Sequence, residues 1–230
     1  MKIIGFQKLT LLDYPGKTAC TVFTAGCNLR CPFCHNRDLV MPPSDVQTYS
    51  EDEIIAYLSK RKGLIDGICI TGGEPMLMKD LPEFCKRLKD IGIFVKIDTN
   101  GFFPAQLKYI VNNNLCNYVA IDIKNSFDKY HETVGVNCVD ISKVKESIEF
   151  LKNSNIDYEY RTTVCKNFHT FEDLKQIATY IGNSQKYFLQ SFVDSGAIIG
   201  QNIEGYSPSE MKDMADRLKT YCNKIEVRGI

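Results

Sequence analysis

Nowhere in these 230 residues does an apolar run approach the roughly 20 residues that span a bilayer. The opening Met1 to Lys8 is only briefly apolar and soon meets Asp13, Pro15 and Gly16, so it reads as neither an export signal nor an anchor. Excess charge of either sign is missing too. The 28 Lys plus Arg balance 28 Asp plus Glu, which argues against a nucleic-acid partner held by bulk phosphate neutralisation. There is no Pro/Ser-rich linker, no long block of like charge and no internal repeat beyond a strand–helix unit. What remains is a soluble chain, 44% hydrophobic and 24% charged, too apolar for disorder and long enough for one well-filled core. One domain over residues 1–230 is expected, in the cytoplasm, with neither membrane nor nucleic acid as partner.

Cysteine, by contrast, is abundant: the chain has 10. Without an oxidising compartment these are reduced thiols, which in scattered apolar runs act as small core residues and in a tight cluster suggest metal. Cys20 and Cys69 lie in strand-like runs and Cys85 in a helical one, so core packing is expected for all three.

Short β-branched runs alternate with amphipathic patterns along the chain. Strands are expected over Thr18 to Thr24, Gly67 to Thr71, Ile93 to Thr99, Asn117 to Ile123, Ile156 to Val164 and Lys186 to Phe192, with a weaker one at Lys224 to Arg228. Helices are expected over Glu51 to Arg61, Leu81 to Ile91, Ala105 to Val111, Ile141 to Leu151, Phe171 to Ile181 and Pro208 to Tyr221. Ser50 with Glu53, and Ser207 with Pro208 and Glu210, have capping-box spacing. About six such βα units imply an α/β fold, a parallel sheet with outer helices that is either doubly wound or curled into a full or partial barrel. Thr71-Gly72-Gly73-Glu74, Asp98-Thr99-Asn100-Gly101, Asp122-Ile123-Lys124, Arg161-Thr162-Thr163 and Gln190-Ser191 fall at or near predicted strand C-termini, where such folds build their sites.

The strongest chemical signal is Cys27-Asn28-Leu29-Arg30-Cys31-Pro32-Phe33-Cys34-His35-Asn36, which puts three thiols into one short polar loop after a strand. Soft thiolates on a wrapping loop suit an iron–sulfur cluster. A closed [4Fe–4S] cluster would need a fourth cysteine, and no second CxxC spacing exists, so one iron would be left open for a ligand. A Cys3His zinc site with His35 is the competing reading, made awkward by the adjacency of Cys34 and His35. Gly72-Gly73-Glu74-Pro75 is a second signal: paired glycines allow close approach of a ligand, and a carboxylate can hold an ammonium group. The plain alternative is a Gly-Gly turn capped by a surface glutamate.

Together, CxxxCxxC with an aromatic residue before its last cysteine and Gly-Gly-Glu-Pro after the next strand resemble the radical S-adenosylmethionine (SAM) superfamily. The resemblance implies a partial (β/α)6 barrel, a [4Fe–4S] cluster on Cys27, Cys31 and Cys34, and SAM bound through its methionine amine and carboxylate to the open iron. It implies that Gly72, Gly73 and Glu74 line the methionine amino group and that Phe33 lies against the adenine. Within the superfamily, Cys34-His35-Asn36 and Leu11-Leu12-Asp13-Tyr14-Pro15-Gly16-Lys17 resemble activating enzymes of glycyl-radical enzymes, most of all the anaerobic ribonucleoside-triphosphate reductase activating proteins.

That likeness implies reductive cleavage of SAM and abstraction of a glycine Cα hydrogen from a glycyl-radical enzyme partner, with a flavodoxin- or ferredoxin-like electron donor. By resemblance to pyruvate formate-lyase activase, Asp98, Thr99 and Asp122 are candidate ligands of a monovalent cation. Lys124 and Arg161 are candidate SAM contacts, and His35 and Asn100 belong to the same cofactor-binding set. Where that activase carries a histidine near its sixth strand, this chain has Gln190, the substitute contact. Asp13, Tyr14 and Asp194 are candidates for the partner-facing mouth, and His131 and His169 are given no role. Three alternatives stay open: activation of another glycyl-radical enzyme, a radical SAM reaction on a small molecule or peptide, and a non-catalytic zinc or iron–sulfur interaction module.

Overall fold

The computed structural model describes residues 1–183, 186–194 and 196–230. Its strands are β1 (Ile3–Thr10), β2 (Ala19–Thr24), β3 (Gly67–Gly72), β4 (Phe94–Thr99), β5 (Tyr118–Asp122), β6 (Asp157–Val164), β7 (Tyr187–Ser191) and β8 (Ile225–Arg228). Its helices are α1 (Arg37–Val40), α2 (Glu51–Ser59), α3 (Leu81–Asp90), α4 (Pro104–Asn112), α5 (Tyr130–Thr133), α6 (Ile141–Lys152), α7 (Phe171–Ile181) and α8 (Pro208–Leu218), with a 3-10 turn at Pro75–Leu77. The strands are sheet neighbours in chain order. All recorded pairings after the β1–β2 pair are parallel, the arrangement that helical crossovers require. The fold is therefore an α/β fold with an open parallel sheet.

The residues form two compact units. The first comprises Met1–Asn28, Asp38–Thr99 and Phe103–Val119. Its β2, β3 and β4 are in parallel register through Val22 opposite Ile70 and Ile70 opposite Ile97, and these three side chains are fully buried. Helix α3 closes over them with Leu81, Phe84, Cys85 and Leu88, whose spacings of three, one and three make a single apolar stripe. Each fully buried side chain of this size contributes about 1.5–3 kcal/mol. Helix α2 begins at the expected capping box: Glu53 N–H donates to Ser50 Oγ at 3.1 Å and Ser50 N–H donates to Glu53 Oε2 at 2.7 Å.

The second unit comprises Leu29–Arg37, Asn100–Phe102 and Ala120–Ile230. Here Tyr160, Tyr187 and Ile225 align across β6, β7 and β8, and α6, α7 and α8 supply the covering apolar stripes. The weak strand candidate at Lys224 to Arg228 is β8, and Ser207 and Glu210 form the second capping box.

Three elements differ from the sequence reading. Strand β1 was not expected, because its solvent-facing run Gln7-Lys8-Leu9 breaks the alternation; backbone pairing with β2 makes it a strand. The four-residue helices α1 and α5 are too short for any periodicity to declare them.

Candidate functional site

In the first unit, β2 ends at Thr24 and the chain continues through Ala25 and Gly26 into Cys27, whose thiol is half-buried. The end of β3 lies tightly against this turn. Gly73 N–H donates to Thr24 O at 3.0 Å and Glu74 N–H to Gly26 O at 2.8 Å. A Cβ on Gly72 would fall 2.2 Å from Thr24 N, and one on Gly73 would fall 2.0 Å from Gly26 O. Gly72 also has φ +131°, a conformation that L side chains rarely adopt. The paired glycines thus have a cause independent of any ligand: they let the backbone leading into Cys27 lie directly on the end of β3.

Glu74 follows them and is 1% exposed, so it is no surface cap. Its Oε1 accepts from Met76 N–H at 3.0 Å, capping the turn Pro75–Leu77, and from Thr99 Oγ1 at 2.8 Å. Thr99 ends β4, and that contact ties the candidate carboxylate to the next strand. Two residues earlier, Lys96 is 1% exposed and ion-paired to Asp98. Its Nζ is also 3.8 Å from Cys69 Sγ and 5.9 Å from the Tyr118 ring centroid. Cys20, Cys69 and Cys85 are fully buried, as core packing requires, and burial pushes the Cys20 thiol up to about 12.

In the second unit, the rest of the cysteine loop is pinned from two sides. Arg30 N–H donates to Val134 O at 2.9 Å, and a Cβ on Gly135 would meet Arg30 O at 2.1 Å; Gly200 N–H donates to Pro32 O at 2.7 Å. Between these points Cys34 N–H donates to Cys31 O at 3.0 Å, a tight turn carrying one buried and one half-buried thiol. Phe33 is 3% exposed, with ring centroids of Phe168 and His169 at 5.7 and 6.0 Å. His35 stacks on Phe192 at 5.0 Å, and its Nε2 is 2.7 Å from Val193 O. Asn100 is buried, and its Oδ1 accepts from Phe102 N–H at 3.1 Å.

A chain of alternating charge crosses the same unit. Arg161 Nε donates to Asp122 Oδ1 at 2.8 Å, Lys124 Nζ is 3.5 Å from Asp122 Oδ2, and Arg161 Nη1 is 3.9 Å from Glu159 Oε1. The fully buried Glu159 in turn accepts from both terminal nitrogens of Arg228, at 2.9 and 3.1 Å. Burial works against the Asp122 charge, but Arg161 and Lys124 outweigh it and bring its carboxyl down to about 2. Burial likewise opposes the Lys124 charge, and Asp122 first, then Cys31 and Cys34, raise its pKa instead. A protein cation therefore stands within electrostatic reach of two loop thiols. Gln190 is half-buried on β7, opposite Thr163 of β6 and Arg228 of β8.

Several of these placements are not visible in local sequence. His169 was given no role, yet it is fully buried: its Nδ1 accepts from Cys165 N–H at 3.1 Å and its Nε2 faces Lys124 O at 2.8 Å. It holds the backbone that carries Lys124, and burial lowers its pKa. Nothing near His169 in the chain signals its contact with Lys124, which is 45 residues away. Lys96 did have a signal, the period-two alternation that puts it on one face of β4 with Asp98. Tyr14, expected at the mouth, is 4% exposed, and its ring is 3.0 Å from where a Cβ of Gly67 would be, at the start of β3 rather than its end. Asp13 accepts a hydrogen bond from Thr21, and Asp194 is exposed.

Among the described residues no three His, Cys, Asp or Glu side chains are gathered tightly enough to share one metal ion. Among the described residues, too, no helix is long and apolar enough to cross a membrane.

Residues 21–181 match the family model described as the radical SAM superfamily. A protein of Methanocaldococcus jannaschii with the provisional name glycyl-radical enzyme activating enzyme MJ1227 is 32% identical, over 99% of this chain and 96% of its own length. The pyruvate formate-lyase 1-activating enzyme of Escherichia coli K12 is 26% identical, over 95% of each chain. Among solved structures, Streptococcus suis SuiB bound to precursor peptide SuiA superimposes with TM-score 0.73 at 13% identity, over 91% of this chain and 48% of that one. Native anSMEcpe with bound AdoMet and Cp18Cys peptide gives 0.64 at 19% identity, over 89% of this chain and 61% of that one. The chain thus spans about half to three-fifths of the solved chains it resembles, and these likenesses establish the α/β partial-barrel fold.

Proposed function

Because this chain belongs to the radical SAM superfamily and is homologous to glycyl-radical enzyme activating enzymes, we propose that it activates a glycyl-radical enzyme, namely anaerobic ribonucleotide reductase. The observation that carries the reading is the donor set itself: three thiols in residues 27–34, none in a disulfide, with Lys124 electrostatically coupled to Cys31 and Cys34. Cys27, Cys31 and Cys34 would hold the [4Fe–4S] cluster that membership of the superfamily implies, and its open iron would take SAM. When bound, these groups supply one-electron cleavage of SAM and a radical able to take a hydrogen atom.

The chain's own residues bind and orient. Glu74, held by Met76 N–H and Thr99, presents a preorganised carboxylate for the methionine ammonium. Lys124 and Arg161, both anchored on Asp122, provide positive charge for the methionine carboxylate. By the resemblance, His35, Asn100 and Gln190 would add polar contacts, and the buried Phe33 would lend an apolar edge to the adenine. The hydrogen donor would be the Cα–H of a glycine that leaves its own folded site as an extended loop, an order-to-disorder step in the partner. A flavodoxin- or ferredoxin-like protein would supply the electron. The choice of ribonucleotide reductase rests on Cys34-His35-Asn36 and the Leu11 to Lys17 segment. A pyruvate formate-lyase is the second candidate, favoured by the 26% identity to its activase over 95% of the chain.

The test is anaerobic: reconstituted protein, reductant and SAM are mixed with either candidate enzyme from the same organism and followed by electron paramagnetic resonance. A SAM-dependent glycyl-radical doublet on the reductase is the expected result. A doublet on the lyase alone would reassign the partner, and 5′-deoxyadenosine without any doublet would require a different partner or a different radical SAM reaction. Cys31→Ala should yield colourless protein without cluster iron; full iron content in that variant would sink the ligand assignment.

A further inference from the structure

The resemblance offers Asp98, Thr99 and Asp122 as ligands of a free monovalent cation, and the two carboxylates do not fit that role here. Both carboxylates already meet a cationic donor of the protein. In the first unit, Asp98 accepts from the Lys96 ammonium, which is 1% exposed. Thr99 gives its hydroxyl proton to Glu74. In the second unit, Asp122 has Arg161 Nε at 2.8 Å on one oxygen and Lys124 Nζ at 3.5 Å on the other. A potassium or sodium ion at either carboxylate would have to sit beside an existing positive charge, which electrostatics disfavours most where water is excluded.

A buried lysine also needs a reason. Taking an ammonium out of water costs several kcal/mol, which an ion pair with a carboxylate offsets. The ammonium and the alkali ion share what matters: one positive charge in a compact, hard group that prefers oxygen partners. They differ in that the lysine cannot dissociate.

We infer that Lys96 replaces the free monovalent cation in this protein, as a tethered positive charge that fixes Asp98 at the end of β4, so that SAM binding needs no added alkali ion. The inference rests on the SAM-binding reading above. Lys96 is a positioning residue: it acts through Asp98 and the end of β4, whose last residue holds Glu74.

The experiment measures SAM affinity of the cluster-reconstituted protein by equilibrium dialysis in choline chloride and in potassium chloride at equal ionic strength. The wild-type dissociation constants should agree within about twofold, while Lys96→Met should weaken binding about tenfold or more in choline and recover most of it in potassium. Lys96→Arg, which keeps the charge, should remain indifferent to potassium. Wild-type binding that strengthens severalfold with potassium would overturn the inference while leaving the SAM-binding reading intact. So would Lys96→Met that binds SAM like wild type in choline. If Lys96→Met fails to fold, the two wild-type titrations and Lys96→Arg still decide. Wild type that binds SAM in neither salt would remove the underlying reading, and the inference with it.

Discussion

Glu74 performs two tasks with one oxygen, capping the turn Pro75–Leu77 and receiving the Thr99 hydroxyl. Glu74→Gln keeps an acceptor in that place and removes only the charge. The variant should therefore melt close to wild type while binding SAM about 10- to 100-fold more weakly, the size expected for losing a charge-assisted hydrogen bond. Dialysis and a thermal melt on the same sample check both halves. His169 makes the opposite case, a titratable group whose neutral form is built in. Burial lowers its folded-state pKa below 6.5, against the opposing influence of its two backbone partners and Asp173, with Lys129 aiding the decrease. The unfolded chain then binds a proton that the folded chain refuses, so the stabilisation is complete above pH 6.5 and is lost as pH falls. His169→Gln should flatten that part of the stability–pH curve in urea melts between pH 7 and 5; an unchanged slope would assign it to another group.

At the scale of elements, local sequence chemistry set most boundaries. Ser50 with Glu53 and Ser207 with Glu210 form the expected capping boxes, and Thr170 with Asp173 forms one that the sequence reading passed over. Asp173 also receives Ser126 Oγ at 3.0 Å and Lys129 Nζ at 2.9 Å, so the start of α7 anchors the segment after β5. Thr170→Ala should cost about 1 kcal/mol, the usual price of an N-cap, whereas Asp173→Ala should cost more because it also strands Ser126 and Lys129. Chemical denaturation of the two variants side by side tests the order. Strand β4 shows how an element carries site chemistry: alternation puts Lys96 and Asp98 on one face, while Thr99 reaches Glu74 from the other.

For the whole molecule, a net charge of zero conceals an uneven interior. The second unit buries Glu159 against Arg228 and Arg161, and sets the half-buried Asp122 against Arg161 and Lys124. Asp122 titrates near 2 instead of 3.8, so its contribution is complete above about pH 4 and disappears as pH falls through 2. Acid unfolding should thus show two regions, one below pH 6.5 from His169 and a second between about pH 4 and 2 that Asp122→Asn removes. Circular dichroism across that range checks it. Arg228 belongs to β8, so removing that strand would take both Arg228 hydrogen bonds away from the buried Glu159.

By itself the sequence determined the α/β class, six of the eight strands outright and a seventh weakly, six helices and the three-thiol loop, because period, capping and cysteine spacing are local quantities. The Cys27–Cys34 loop, Gly-Gly-Glu and the carboxylates at strand ends were legible for the same reason. Tertiary structure decided what those residues touch. It made Gly72 and Gly73 obligatory through the backbone of Thr24 and Gly26, buried Glu74 on Thr99, and turned His169 into the support of Lys124. It also put Tyr14 at the start of β3 and gave Asp98 and Asp122 protein cations as partners. Most of those contacts join residues more than 20 positions apart in the chain. No local pattern encodes such pairings, since they exist only once the strands have been brought into register.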